Sequence, residues 1–247
     1  MKAMRRWRLH AVLLFVLGAA MPAASAMEIN ALLDKVAAAY GINTRAGGIK
    51  GIRQTGRTFS SMRQEEGPIV RTYQHPDRLR IEIRYPGTEE VRVLNGSQAW
   101  KQGEPMTGSF HAAMILQAAR MALPWNLQKD RSSLRDLGTL KLDDGKNIQV
   151  LEQPLGIGLV MRATIDTDTG HILRSVGRMT GSMGIMEFGT IYEDFRMQDG
   201  LLYAATERHF AMNQATGHTH IDKIEFMDTL PEKLFIPEEK SAAKTRI

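Results

Sequence analysis

From Gly51 onward, apolar side chains recur at every second position for about fifty residues, and a period held that long restricts the stretch to antiparallel β-structure. The clearest strand is Arg78–Tyr85, in which Leu79, Ile81, Ile83 and Tyr85 point one way and Arg78, Arg80, Glu82 and Arg84 the other. Pro86-Gly87 turns the chain into a strand at 89–94, where Val91 and Val93 alternate with charges. Asn95-Gly96, a strong two-residue hairpin signal, leads on to 98–102. The C-terminal half returns to the same pattern at 137–142, 148–153, 159–166, 172–179, 186–197, 201–211 and 219–227. Turns at Asp143-Asp144-Gly145, Asp168-Thr169-Gly170 and Asp199-Gly200 join neighbours as hairpins.

Two segments break the period. Ile29, Leu32, Leu33, Val36, Ala37 and Tyr40 follow helical spacing, and Gly41 stands where a left-handed cap ends the helix, before a Gly-rich connection at Gly47, Gly48 and Gly51. Residues 110–123 are apolar apart from His111, Gln117 and Arg120, and Pro124 stops the run. A helix of that length is too short for a bilayer, which takes about 20 residues, so protein or a bound apolar ligand must cover most of its sides. The expected fold is mainly β with helices (α+β): one large curved antiparallel sheet whose apolar face helices cover.

Residues 1–26 carry the marks of a cleavable signal peptide. Lys2, Arg5, Arg6 and Arg8 precede an apolar run from Ala11 to Ala20, and Ala24-Ser25-Ala26 offers the small residues of a cleavage site. The net charge of +5 includes these four positive charges and no acidic residue from the same segment, so the remainder lies near +1. That balance lacks the basic footprint of a nucleic-acid binder. The chain has no cysteine, which excludes disulfides, a thiol nucleophile and a lipid-modified N-terminal cysteine. One domain over residues 27–239 is expected, followed by a flexible tail at 240–247.

Few motifs carry chemistry. His218-x-His220-x-Asp222 puts three potential metal ligands on one strand face, but positions four apart lie about 13 Å apart along a strand, so a two-histidine site needs a third ligand such as His209. A solvated strand face is the competing reading. Asp166-x-Asp168-x-Gly170 has part of a calcium loop without its terminal glutamate, and a hairpin turn accounts for it. Glu193 and Asp194 point to opposite faces of a strand, and Arg78, Arg80 and Arg84 with Glu82 between them form a basic stripe suited to solvent or to lipid headgroups. With no nucleophile elbow, phosphate loop or zinc-protease helix, the chain is expected to be no enzyme and to hold no cofactor or metal.

Several phrases occur together in order: the helix 31–41, Pro76-Asp77-Arg78-Leu79-Arg80-Ile81-Glu82, Val93-Leu94-Asn95-Gly96 leading to Trp100, and Ile165-Asp166 with Thr169-Gly170. Tyr192-Glu193-Asp194-Phe195 with Asp199-Gly200-Leu201 follows, then Leu230-Pro231 with Leu234-Phe235-Ile236-Pro237. In this ordered set the chain resembles the outer-membrane lipoprotein carrier (LolA/LolB-like) superfamily. The resemblance implies an incomplete antiparallel β-barrel of about eleven strands closed by helices, located in the periplasm, with a dry cavity for acyl chains. Expected on the cavity wall are Leu79, Ile81, Ile83, Tyr85, Val91, Val93, Trp100, Met114, Leu116, Met121 and Met161.

Methionine suits such a wall because it adapts to irregular shapes, and Met179, Met183, Met186 and Met227 are further candidates beside ordinary core roles. The implied partners are lipid or lipoprotein acyl chains and a membrane-protein donor or acceptor. A non-catalytic sensor or docking module that binds a lipoprotein or membrane protein is the alternative. Two family features stand apart: the sequence does not assign a position to the cavity arginine of the carrier for which the family is named, and the lipidated cysteine of its anchored members is absent. The helix 110–123 is the expected moving lid.

Overall fold

The computed structural model describes residues 26–44, 50–129, 131–156, 158–181 and 184–238. The expected signal segment up to residue 25, Gly47, Gly48, Met183 and the tail from residue 240 lie outside the described residues.

Helix α1 (Ala26–Ala39) comes first, and Gly41, at φ 66°, donates its N–H to Ala38 O to end it as the sequence suggests. Six strands follow: β1 (Gly51–Ser60), β2 (Glu65–Gln74), β3 (Arg78–Tyr85), β4 (Thr88–Asn95), β5 (Gln98–Lys101) and β6 (Glu104–Met106). After helices α2 (Ser109–Met121) and α3 (Leu123–Lys129) come β7 (Arg135–Lys141), β8 (Asn147–Gly156), β9 (Leu159–Asp166), β10 (Ile172–Gly181), β11 (Gly184–Gln198), β12 (Leu201–Ala211) and β13 (Gln214–Met227). All are antiparallel in a single 13-stranded sheet of order β6-β5-β4-β3-β2-β1-β13-β12-β11-β10-β9-β8-β7. The count exceeds the expected eleven or so partly because β6, with three residues, is too short to show a period.

The order contains its own explanation for the helices. Two meanders join through the β1–β13 pair, and their free edges, β6 and β7, are the strands that α2 and α3 connect. A connection between opposite edges has to cross a face of the sheet. Helix α2 touches β3, β4 and β5 on one side and β9 and β10 on the other. Strands β4 and β9 stand eight places apart, about 38 Å if flat, whereas a helix the length of α2 spans only about 20 Å. The sheet is therefore curled around the helix as an open half-barrel, not closed into a barrel. The near-continuous apolarity of 110–123 follows, since α2 buries Leu116 and Ala119 toward one half and Met114 and Ala118 toward the other.

The expected helix at 110–123 is α2, and a second helix, α3, which the sequence reading did not foresee, follows it directly. The chain breaks at Ala122 and restarts with Pro124 in the first turn of α3, where its missing N–H costs no hydrogen bond.

A third cluster lies on the convex face. Val93 packs there with Leu230 and Phe235, joined by Val91, Trp100, Met227 and Leu234. The arginine stripe of β3 holds this C-terminal segment down: buried Arg80 donates to Glu82, to Glu238 at 2.7 Å and to Leu234 O, and Arg78 lies 3.5 Å from Glu232. The stripe is thus neutralised within the molecule.

Candidate functional site

Concave-face positions come from the register. One rung crosses four strands as Ile224, Gln54, Arg71 and Ile81, and a second runs Ile52, Tyr73, Leu79 and Leu94. Over these rungs α2 and α3 do not fill the space. A half-enclosed cavity of about 90 Å³ remains, with Leu79, Ile81, Ile52 and Ile224 as its floor, Met121, Leu123, Pro124 and Trp125 as its roof, and Tyr40, Ile172 and Leu202 to one side.

Its other wall is polar. Arg71 reaches across from β2 and its Nη1 donates to Glu207 Oε2 on β12 at 2.7 Å, with both side chains largely buried. Burial pushes the Glu207 carboxyl up, but the charge and hydrogen bond of Arg71 outweigh it and hold the group below the usual carboxylate range. From α2, Arg120 donates through Nε to Ser175 Oγ at 3.1 Å and through Nη2 to Phe188 O at 3.0 Å, and Ser175 Oγ pairs with Tyr192 OH at 2.8 Å. Burial pushes the Tyr192 phenol up to about 12. His209, two residues beyond Glu207, lies between Thr190 Oγ1 at 3.2 Å and Thr219 Oγ1 at 2.9 Å. Burial pushes its pKa down to about 4, against the pull of Glu207, so the imidazole is neutral at ordinary pH. Two polar atoms at this wall are buried without a partner: Arg71 Nη2 and Gln54 Oε1.

Chemically this wall can bind and orient. Ser175 Oγ bonds to a guanidinium and a phenol, and both nitrogens of His209 face threonine hydroxyls. His218 stacks on Phe59 with ring centroids 5.3 Å apart. Thr206 and Arg208, opposite His220 and His218, lie on the face away from Glu207 and His209, so the three imidazoles do not converge. Among the described residues no group of three or more His, Cys, Asp or Glu side chains is placed to hold a metal. Asp166 Oδ1 accepts the N–H groups of Asp168 and Thr169, which makes that loop a capped turn. Glu193 and Asp194 pair outward with Arg208 and Arg196.

Of the residues expected on the wall, Leu79, Ile81 and Met121 line the cavity. Ile83, Tyr85 and Met114 belong to the packed core beside it, and Leu116 and Met161 to the core beneath α2 on the β9–β10 side. Val91, Val93 and Trp100 correct the expectation: they sit on the convex face. The two-residue turn pairs Tyr85 with Thr88, so Arg92 and Leu94 oppose Ile81 and Leu79, and the odd residues of β4 point the other way. Sequence reasoning passed over Gln54, Arg71 and Glu207, and named His209 only as a third metal ligand and Tyr192 only within a family phrase. Their signal was a charge continuing an apolar face: Ile69, Arg71 and Tyr73 on β2, and Tyr203, Ala205, Glu207 and His209 on β12.

A 13-stranded open half-barrel with helices laid across its concave face defines the fold class. Within that class, the fold is the LolA-like one. No family model matches the sequence, and no curated protein does. Among solved structures, the chain is similar to a LolA superfamily protein of Nitrosomonas europaea, at 12% identity and a TM-score of 0.53 over 84% of this chain and 96% of that one. An outer-membrane lipoprotein-sorting protein domain of Vibrio parahaemolyticus matches at 10% identity and a TM-score of 0.46, covering 84% and 97%. MucB matches at 14% identity and 0.26, covering 85% and 62%.

Proposed function

We propose that the chain is a periplasmic carrier or binder of lipidated or otherwise hydrophobic cargo, holding acyl chains between α2–α3 and the concave face of the half-barrel. The observation that carries this is the cavity itself, floored by Leu79 and Ile81 and roofed by Met121 and Trp125, beneath helices that cross from one edge of the sheet to the other. Acyl burial stabilises by about 0.8 kcal/mol per methylene, so a chain of lipid length is held without any covalent step. The leader-like residues 1–26 support export, and no described helix is long and apolar enough to cross a membrane.

At about 90 Å³ the cavity holds only a handful of water-sized molecules, so a whole acyl chain enters as α2 and α3 move away from β1–β3. The same small volume favours a second reading, a non-catalytic sensor or docking module whose cavity stays closed. Native mass spectrometry of the protein from its native compartment, with organic extraction of what denaturation releases, separates them. A near-stoichiometric acylated species is expected. A clean apo mass with no uptake of a fluorescent fatty acid overturns the carrier and leaves the docking module.

A further inference from the structure

We propose that the cavity selects amphiphiles with one anionic headgroup, whose carboxylate or phosphate oxygen accepts from Arg71 Nη2 while the first methylenes lie on Leu79, Ile81 and Met121. This deepens the cargo-binding reading and rests on it.

Two independent observations meet at one wall. Arg71 Nη2 and Gln54 Oε1 are buried without partners, although Gln54 and Arg71 are direct cross-strand neighbours on β1 and β2. A buried guanidinium N–H left unpaired is costly, and it is a strong, directional donor for an oxyanion. Gln54 can turn its amide to offer either a donor or an acceptor beside that oxygen.

The charges at this wall do not balance. Arg71 and Arg120 bring two positive charges and Glu207 one negative, since burial keeps His209 neutral. The hydrogen bonds of Arg120 go to Ser175 Oγ and Phe188 O, neutral acceptors that cancel no charge. One surplus positive charge beside a dry floor is met by one anion, and an uncharged cargo leaves it uncompensated. Glu207 does not block the place, because it is engaged on Nη1 while Nη2 is the group left over.

Titration calorimetry with four probes of one chain length tests this: palmitate, palmitoyl lysophosphatidate, hexadecanol and hexadecyltrimethylammonium, each below its aggregation limit. The anions are expected to bind at least about tenfold more tightly than the alcohol, with the ammonium weakest. Preference for palmitate alone assigns a carboxylate source and preference for the lysophosphatidate alone a phosphate source. Glu207→Gln removes the one negative charge at this wall and is expected to widen the preference, while Arg71→Gln removes the donor and is expected to erase it. Should Arg71→Gln not fold, the wild-type ranking and Glu207→Gln still decide. Equal affinity for the alcohol and both anions overturns the headgroup inference and leaves apolar cargo binding intact. Failure of all four to bind overturns both.

Discussion

Helix α2 meets the sheet in two unlike ways. Toward β9 and β10 it is seated without slack: Leu116 is fully buried and presses so close to β10 that a Cβ placed at Gly177 would lie 3.0 Å from both of its methyls. Toward β1–β3 and β12 the same helix and its continuation α3 roof a cavity, and a buried ion pair spans the gap. One side is a close-packed interior and the other is a space with a polar wall, which makes the second the side that can open at low cost. A lid needs both, a fixed flank to return to and a loose flank to release.

The sharpest way to break this contrast is at the ion pair. Arg71→Met leaves Glu207 buried without its partner and should cost about 3–5 kcal/mol in urea unfolding; a loss below about 1 kcal/mol means that the pair does not hold the cavity wall. Next comes a matched truncation. Leu116→Ala on the packed flank should cost about 3 kcal/mol, whereas Met121→Ala, which only widens an existing space, should cost about 1 kcal/mol. Equal losses erase the distinction between the flanks.

Proton linkage gives a smaller effect. His209 titrates at about 4 when folded and near its ordinary 6.5 when unfolded, so the unfolded chain takes the proton first as pH falls. Stability should therefore decline from about pH 6.5 to about pH 4, by about 2 kcal/mol once the roughly 3 kcal/mol of the full shift is discounted for the partial exposure of the ring, and His209→Gln should flatten that window. Glu207, with its folded pKa lowered, acts in the same direction but only below about pH 4, as its carboxylate is protonated. Smallest of all, Val91→Ser on the convex face should change cargo affinity by less than about twofold, because the sheet stands between it and the cavity.

Much of the architecture was legible in alternation and turn chemistry. The wet and dry faces of β3 put Leu79 and Ile81 on the concave side, and the nearly uniform apolarity of 110–123 required cover on several sides, which the two halves of a curled sheet provide. The misplacement of Val91, Val93 and Trp100 has a physical origin. The apolar alternation of β4 faces the convex side, where Val93 lies under Phe235, about 140 residues later in the chain, while its concave side carries Glu90 and Arg92 beside Leu94. Local pattern does not reveal so distant a cover, although the parity of the Pro86-Gly87 turn carried the answer. The polar wall was harder to see because strand charges ordinarily mark a wet face. Arg71 and Glu207 become partners only when β2 and β12, separated by two strands, are brought round by curvature.

The two tryptophans of the folded domain lie on opposite faces of the sheet, Trp125 in the cavity roof and Trp100 in the convex cluster. With Trp7 replaced by Phe throughout, the most direct measurement is quenching by a brominated fatty acid in two variants, Trp100→Phe and Trp125→Phe. Cargo held beneath α2–α3 should quench Trp125 saturably at one equivalent and leave Trp100 nearly unchanged. Equal quenching of the two, or quenching of Trp100 alone, contradicts a cavity-bound acyl chain and places the lipid on the outside of the sheet.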